Sequence, residues 1–176
     1  IKPGCPVVTA RQEEGVMRLI EERCREEKSP LIKAGLMEKR VLREDLHGST
    51  VELDGERFFL PLAGRFQAEN LAVAVAALRE AAKAFPGVTA GSVREGIAAA
   101  RLGGRFEVIG DRPTVILDAG HNPNAVAALC ESLDAFGLSG GLVTVMGMLA
   151  DKDWGRCVPP VAGRSRAFIT VRPQSR

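Results

Sequence analysis

The sequence predicts an α/β fold with a parallel sheet in its C-terminal part. Three observations carry this. Beyond Gly103-Gly104, short β-rich segments alternate with stretches of helical period in the order strand, helix, strand, helix, strand. Leu142 to Met146 is an apolar run bounded by glycines, as expected of a strand buried in a parallel sheet. Before the glycines, long amphipathic stretches and an Asp-Gly hairpin form a separate pattern, so a domain boundary is predicted at Leu102-Gly103, giving regions 1–102 and 103–176.

Taken in order, Val7-Val8-Thr9 reads as a short strand. A helix follows from about Arg11 to Lys28, with Thr9 and Gln12 as a capping box and Val16, Leu19, Ile20 and Cys24 as its apolar stripe. Glu14/Arg18 and Glu21/Arg25 are i,i+4 pairs on its wet side. Leu31-Ile32 is a second short strand. Thr50 to Leu53, Asp54-Gly55 and Glu56 to Leu62 read as a hairpin, because Asp-Gly suits the positive φ angles of a type I′ turn. A long helix from about Gln67 to Phe85 carries Leu71, Val75, Leu78 and Ala82 on one face, and Pro86-Gly87 ends it. Another helix, Gly91 to Arg101, begins with Ser92 near its cap. Phe106 to Ile109 and Thr114 to Leu117 are β, Asn122 to Phe136 is a helix, and Ala167 to Val171 is a buried strand. A weaker helix around Asp153 is expected to break at Pro159-Pro160.

The chain has 176 residues with 45% hydrophobic and 26% charged residues, which excludes disordered and fibrous classes. A net charge of +2, from 24 basic and 22 acidic residues, argues against a nucleic-acid arm or a membrane-surface helix. The longest apolar stretch, Leu71 to Leu78, is far short of the ~20 residues needed to span a bilayer, and no signal-peptide pattern opens the chain. The expected setting is cytoplasmic, with Cys5, Cys24, Cys130 and Cys157 as free thiols and no zinc site. Cys130, on an amphipathic stretch, reads as core filler, and His47 lies in a loop. The opening Ile1-Lys2-Pro3-Gly4 runs without Met straight into a strand, as expected of a piece of a longer protein.

Ligands of open α/β sheets bind beyond the carboxyl ends of the strands. At the first such end stands Asp118-Ala119-Gly120-His121-Asn122-Pro123. Asn122-Pro123 opens a helix in the Ncap–N1 arrangement, and the N–H groups there suit an anion such as phosphate. Asp118 can accept from hydroxyls and His121 can donate to a phosphate oxygen; equally, Asp118 and Asn122 can serve only the turn and the cap. The second end, Gly147 to Asp153, alternates charges around Lys152, with Asp153 also suited to cap the next helix. The third, Arg172 to Arg176, carries two cations where the chain stops. No G-x-G-x-x-G follows a strand, no G-x-x-x-x-G-K-S/T exists, and no G-x-S-x-G elbow exists.

Several segments together resemble a known family. Leu62 to Asn70 (Leu-Ala-Gly-Arg-Phe-Gln-Ala-Glu-Asn) resembles the L-x-G-x-H-Q-x-x-N segment of folylpolyglutamate synthase/dihydrofolate synthase, in the Mur ligase superfamily. Gly104 to Val108 resembles its P-G-R-x-E linker, Asp118 to Pro123 its D-x-A-H-N-P motif, and Gly147 to Asp153 its G-x-x-x-D-K-D segment. Thr170 to Arg176 resembles T-x-x-P-x-x-R, and Ile1 to Gly4 the I-K-P-G that ends a central-domain segment. Each match is weak alone; their order along essentially the whole chain is specific.

The resemblance implies a C-terminal Rossmann-like parallel sheet with flanking helices, preceded by the tail of a central P-loop-type domain. It implies an ATP-dependent ligase joining L-glutamate to folate or dihydropteroate through an acyl phosphate, with Mg²⁺ ligands and the P-loop upstream of Ile1. ATP then lies between the two domains. Asn70 would contact the adenine with Gln67 near it, Arg105 would reach phosphates, Asp118 would hold the ribose, His121 would face the phosphates and Lys152 would approach the reacting groups. Its partners would be these small molecules and the rest of the parent polypeptide, with no nucleic acid and no membrane. The isolated chain is expected to be inactive and to associate. Phe66 replaces the family's His, Gly104 its Pro, which suggests a looser linker, and Ala119-Gly120 reorders the small residues before His121. A stand-alone nucleotide-binding or interaction module, and a murein- or cyanophycin-type amide ligase, are the competing readings.

Overall fold

The computed structural model describes residues 1–173 of the chain. The fold is α/β, in two compact units: residues 1–44, 48–61 and 66–101, and residues 45–47, 62–65 and 102–176. The sequence-predicted division at 102/103 therefore omits two short segments, 45–47 and 62–65, that belong with the second unit.

In the first unit, strand β1 (Val7–Thr9) pairs in parallel with β2 (Leu31–Lys33), and helix α1 (Glu14–Glu26) connects them. The helix starts later than predicted. Its N-cap, Glu13, makes no side-chain cap bond, and Thr9 Oγ1 donates to the Ala10 carbonyl at 3.1 Å, so the Thr9/Gln12 capping box does not form. The reason is packing. Gly35, in a short 3₁₀ turn at Ala34–Leu36, lies so close that a Cβ there would collide with the backbone nitrogen of Arg11, and residues 10–13 stay non-helical against it. Of the predicted stripe, Cys24 is buried and Ile20 half-buried, while Val16 and Leu19 are exposed. Glu14 pairs with Arg18 at 3.3 Å. Glu21 pairs with Lys33 at 2.6 Å, and Arg25 reaches the Glu21 carbonyl instead of its carboxylate.

Strand β3 (Lys39–Asp45), unanticipated from the sequence, pairs with β4 (Gly48–Leu53), which pairs antiparallel with β5 (Glu56–Leu60). The β4–β5 turn has φ +48° at Asp54 and +79° at Gly55, both positive as type I′ requires. Arg79 ties that turn to helix α2 (Phe66–Ala82), reaching Asp54 at 3.0 Å and Glu56 at 2.9 Å. On α2, Ala68, Leu71, Ala72, Val75 and Ala76 are buried; the alanines let the helix approach its neighbours closely. Helix α3 (Ala90–Ala98) is capped one turn earlier than Ser92 suggested: Thr89 is the N-cap and Ser92 the reciprocal N3 partner.

In the second unit, β6 (Glu107–Asp111) and β7 (Thr114–Leu117) form an antiparallel hairpin, and β8 (Leu142–Met146) pairs in parallel with β9 (Ser165–Thr170). The sequence reading put β7, β8 and β9 into one parallel sheet as a βαβαβ unit. Among the described residues no ladder joins β7 to β8; the parallel pairing is that of β8 with β9. Helix α4 (Pro123–Ala135) joins the two sheets through the core. Leu133 packs with Phe106 and Ala63 against Ile116 of β7 and Leu142 of β8, while Val126 and Cys130 pack with Cys157 and Val161 against Met146 and Phe168.

The strands of this sheet are covered on one side only. Val145 is 63% and Val143 55% exposed, whereas Thr144 and Met146 are half-buried. An apolar run reads as a strand buried on both faces, but among the described residues only the side facing Val126, Cys130, Cys157 and Val161 is covered. Helix α5 (Trp154–Ala162) runs through Pro159 and Pro160 instead of breaking there. Its first turn is held by the Asp153 cap, which accepts from Arg156 N at 3.1 Å, and its last by Gly163 N on the Pro159 carbonyl at 3.0 Å. Only the carbonyls of Gly155 and Arg156 lose their i+4 donors to the two proline rings.

Candidate functional site

The predicted site residues fall in both units. Gln67 and Asn70 lie one turn apart on α2, in the first unit. Gln67 is 1% exposed and accepts from Asn70 Nδ2 at 3.0 Å through Oε1. Its own Nε2 is buried with no protein partner. Asn70 is exposed.

Arg105, Asp118, His121 and Lys152 lie in the second unit. Asp118 ends β7 and uses both carboxylate oxygens on backbone amides. Oδ1 accepts from Gly120 N at 2.7 Å and Oδ2 from Phe106 N at 2.9 Å. The first bond is the turn role that the sequence allowed. The second reaches back to the segment before β6. Ala119 N adds a third link by donating to the Gly104 carbonyl at 2.8 Å, and Gly104 N donates to Glu107 Oε2 at 2.7 Å. The turn at 104–106 is thus held from both sides. A carboxylate offers about four lone-pair positions, so Asp118 keeps capacity for a hydroxyl donor.

The expectation of a looser linker at Gly104 is corrected: Arg105 and Glu107 set the register of P-G-R-x-E, so Gly104 stands at the family's Gly and Gly103 at its Pro. Gly104 sits at φ +64° and donates its N–H, and proline, fixed near φ −65° and lacking an N–H, can do neither. Phe106 also has positive φ, +48°, a strained backbone for a side chain. Its ring is 1% exposed, packed with Leu133 and 5.5 Å from the ring of Phe136, which holds the strained residue in place. Between these two fixed residues Arg105 is half-exposed, and its guanidinium makes no hydrogen bond or ion pair among the described residues.

His121 is exposed, with Nδ1 2.9 Å from the Ala119 carbonyl. Nδ1 is therefore the protonated nitrogen and Nε2 faces away; donation from Nε2 to an anion needs the imidazolium. His121 acts electrostatically on Asp151, whose carboxyl is held below its usual range chiefly by a hydrogen bond from Lys152, with His121 the smaller cause. Lys152 Nζ lies 3.0 Å from Asp151 Oδ2. The β7 and β8 ends thus bring His121, Asp151 and Lys152 into one neighbourhood. The α4 N-terminus is less open to an anion than its sequence suggested. Pro123 has no N–H, Asn122 Oδ1 takes the Ala125 N–H at 2.9 Å, and the Asn122 carbonyl takes Val126 N at 3.0 Å, leaving Asn124 as the remaining donor of that turn. Of the Arg172 to Arg176 end, residues 174–176 lie outside the described residues.

Sequence reasoning missed Glu107 and the backbone of Phe106. The only local signal is a carboxylate three residues after Gly104. Among the described residues no group of three or more His, Cys, Asp or Glu is placed to hold a metal ion.

Residues 104–176 match the family described as Mur ligase, glutamate ligase domain. The chain is 40% identical over 111 residues to a probable bifunctional folylpolyglutamate synthase/dihydropteroate synthase of Haloferax volcanii, covering 62% of this chain and 13% of that protein. It is 38% identical over 109 residues to the dihydrofolate synthase/folylpolyglutamate synthase of Escherichia coli, covering 62% of this chain and 23% of that protein. A Mycobacterium tuberculosis folylpolyglutamate synthase solved with ADP and AMPPCP matches its fold with a TM-score of 0.76 at 27% identity, over 96% of this chain and 39% of that one. The chain thus spans less than half the length of each of these proteins. Residues 104–176 thus match the glutamate ligase domain of Mur ligases, and the chain is similar in sequence and in fold to a part of folylpolyglutamate synthases/dihydrofolate synthases.

Proposed function

We propose that this chain is part of an ATP-dependent carboxylate–amine ligase that adds L-glutamate to folate or dihydropteroate. A carboxylate oxygen attacks the γ-phosphorus of ATP and ADP leaves. The amine of glutamate then attacks the acyl carbon, and inorganic phosphate leaves as the amide forms. The protein's part is positioning and charge stabilisation. One observation carries the reading: Arg105 stands unpaired on a turn fixed at both of its neighbours, one of them by the strand-end carboxylate Asp118. A guanidinium so placed suits bidentate contact with phosphate oxygens.

Asp118 uses its remaining lone pairs on a ribose hydroxyl. His121 presents Nε2 to the phosphates, donating as the imidazolium. Lys152, released from Asp151, approaches the reacting groups. Asn70, oriented by Gln67, contacts the adenine. Mg²⁺, held by ligands outside this chain, neutralises phosphate charge when bound. We place the reaction in the cytoplasm, and the isolated chain lacks turnover because the remaining machinery is not in it.

The test is glutamate incorporation by the intact parent protein. Arg105→Ala lowers kcat/KM for ATP about tenfold to hundredfold, the worth of a charge-assisted hydrogen bond. Unchanged ATP kinetics would remove Arg105 from the site, and turnover by the isolated chain above a blank would refute its inactivity.

A further inference from the structure

We infer that Asp118 is the positioning residue for Arg105: its carboxylate builds the turn that presents the guanidinium, whatever else it binds. Both of its oxygens are committed to backbone N–H groups, and one of those belongs to Phe106, next to Arg105. Phe106 sits at φ +48°, a conformation that disfavours a bulky residue and persists only where its surroundings impose it. The bond from Phe106 N to Asp118 supplies that constraint on the backbone side, and the core supplies it on the ring side. On the other flank of Arg105, Gly104 is held through its carbonyl by Ala119 and through its N–H by Glu107. Arg105 is therefore carried on a turn that Asp118, Ala119 and Glu107 close, while its own head group is uncommitted.

Gly120 is the enabling residue. A Cβ added there would lie 2.8 Å from Asp118 Oδ1, closer than real Cβ contacts allow. A side chain at this position requires the carboxylate tip to shift, which strains its bonds to the two amides. Substituting Gly120 therefore perturbs the turn with Asp118 intact, giving a second route to the same effect.

The phosphate-binding half of this inference rests on the proposed role of Arg105; the turn itself does not. Amide hydrogen exchange on the ligand-free chain tests the turn. Asp118→Asn and Gly120→Ala each speed exchange at the Phe106 and Ala119 amides about tenfold to hundredfold, the worth of a charge-assisted hydrogen bond. The α5 amide of Val161 changes little and reports that the unit remains folded. Inorganic tripolyphosphate, which has no ribose, tests the positioning. Followed by NMR at the Arg105 Nε–H resonance, it shifts that resonance in the unsubstituted chain and does so at least severalfold more weakly in both variants. Unchanged exchange at Phe106 in both folded variants overturns the turn. Tripolyphosphate binding undiminished in Asp118→Asn overturns positioning and leaves Asp118 a ribose contact only. If the unsubstituted chain gives no tripolyphosphate response, the phosphate reading of Arg105 fails, while the exchange data still decide the turn.

Discussion

Replacing Gln67 by methionine should stabilise the first unit at the expense of the adenine contact proposed for Asn70. Gln67 is 1% exposed, and its Nε2 has no protein partner. A buried unpaired donor costs about 1–3 kcal/mol. Methionine has similar length and volume, fits irregular gaps and removes that donor. Lost in exchange is the 3.0 Å bond from Asn70 to Gln67 Oε1, worth about 0.5–1.5 kcal/mol and at the low end here because exposed Asn70 can turn to water. The net is about 1 kcal/mol of stabilisation, a roughly fivefold slower exchange of the buried α2 amides. Exchange at Leu71, Ala72, Val75 and Ala76 of Gln67→Met reads this directly, with α4 amides as the unaffected reference. Slower exchange accompanied by weaker ATP binding in the parent protein would mark Gln67 as a residue kept for function against stability. A destabilised Gln67→Met would show that Nε2 is paired in solution and refute the reasoning.

Two further outcomes follow from the second unit. Asp134 accepts from Arg164 at 2.9 and 2.6 Å and from Ser139, and these bonds, Arg164 first, lower its pKa to about 2. A depressed carboxylate stabilises above its unfolded pKa, so this contribution is whole above about pH 4 and lost as pH falls toward 2. Urea midpoints by circular dichroism should therefore fall over that window, and Asp134→Asn should flatten the fall; an equally steep variant would contradict the assignment. Asn122→Ala removes the side-chain cap of α4 and should cost about 1 kcal/mol in the same assay. A loss below about 0.3 kcal/mol would mean that Pro123 alone fixes the helix start.

The elements that the sequence announced are those whose stabilisation is local. The β4–β5 hairpin was legible because Asp54-Gly55 supplies its own positive φ angles, and α4 because Asn122-Pro123 supplies a cap and a fixed first residue. The failures lie where distant residues decide. The Thr9/Gln12 box lost to the close approach of Gly35 to Arg11, a contact between segments more than twenty residues apart. Pro159-Pro160 did not break α5 because the Asp153 cap and the buried Cys157 and Val161 hold it on both sides of the rings. The apolar run of β8 read as a doubly buried strand, yet among the described residues only one of its faces is covered. Among the site residues, the turn and cap roles of Asp118 and Asn122 were legible locally. The bond of Asp118 to Phe106 was not, since it joins two segments that no sequence period links.

That bond also ties the linker to the residue order at the strand end. Arg105 and Glu107 set the register of P-G-R-x-E, so Gly104 stands at the family's Gly, while Ala119-Gly120 read alone is a neutral exchange of small residues. In the folded chain they belong to the same arrangement. Gly104 takes φ +64° and gives its N–H to Glu107, which proline cannot do. Its carbonyl is held by Ala119, and the neighbouring Gly120 leaves the space in which Asp118 reaches Phe106. Were Ala119 and Gly120 to exchange places, the Cβ arriving at position 120 would crowd Asp118 Oδ1 at 2.8 Å, and the carboxylate tip would have to shift against its two amide bonds. The linker is here closed by hydrogen bonds from the strand end, through Asp118 to Phe106 and Ala119 to Gly104.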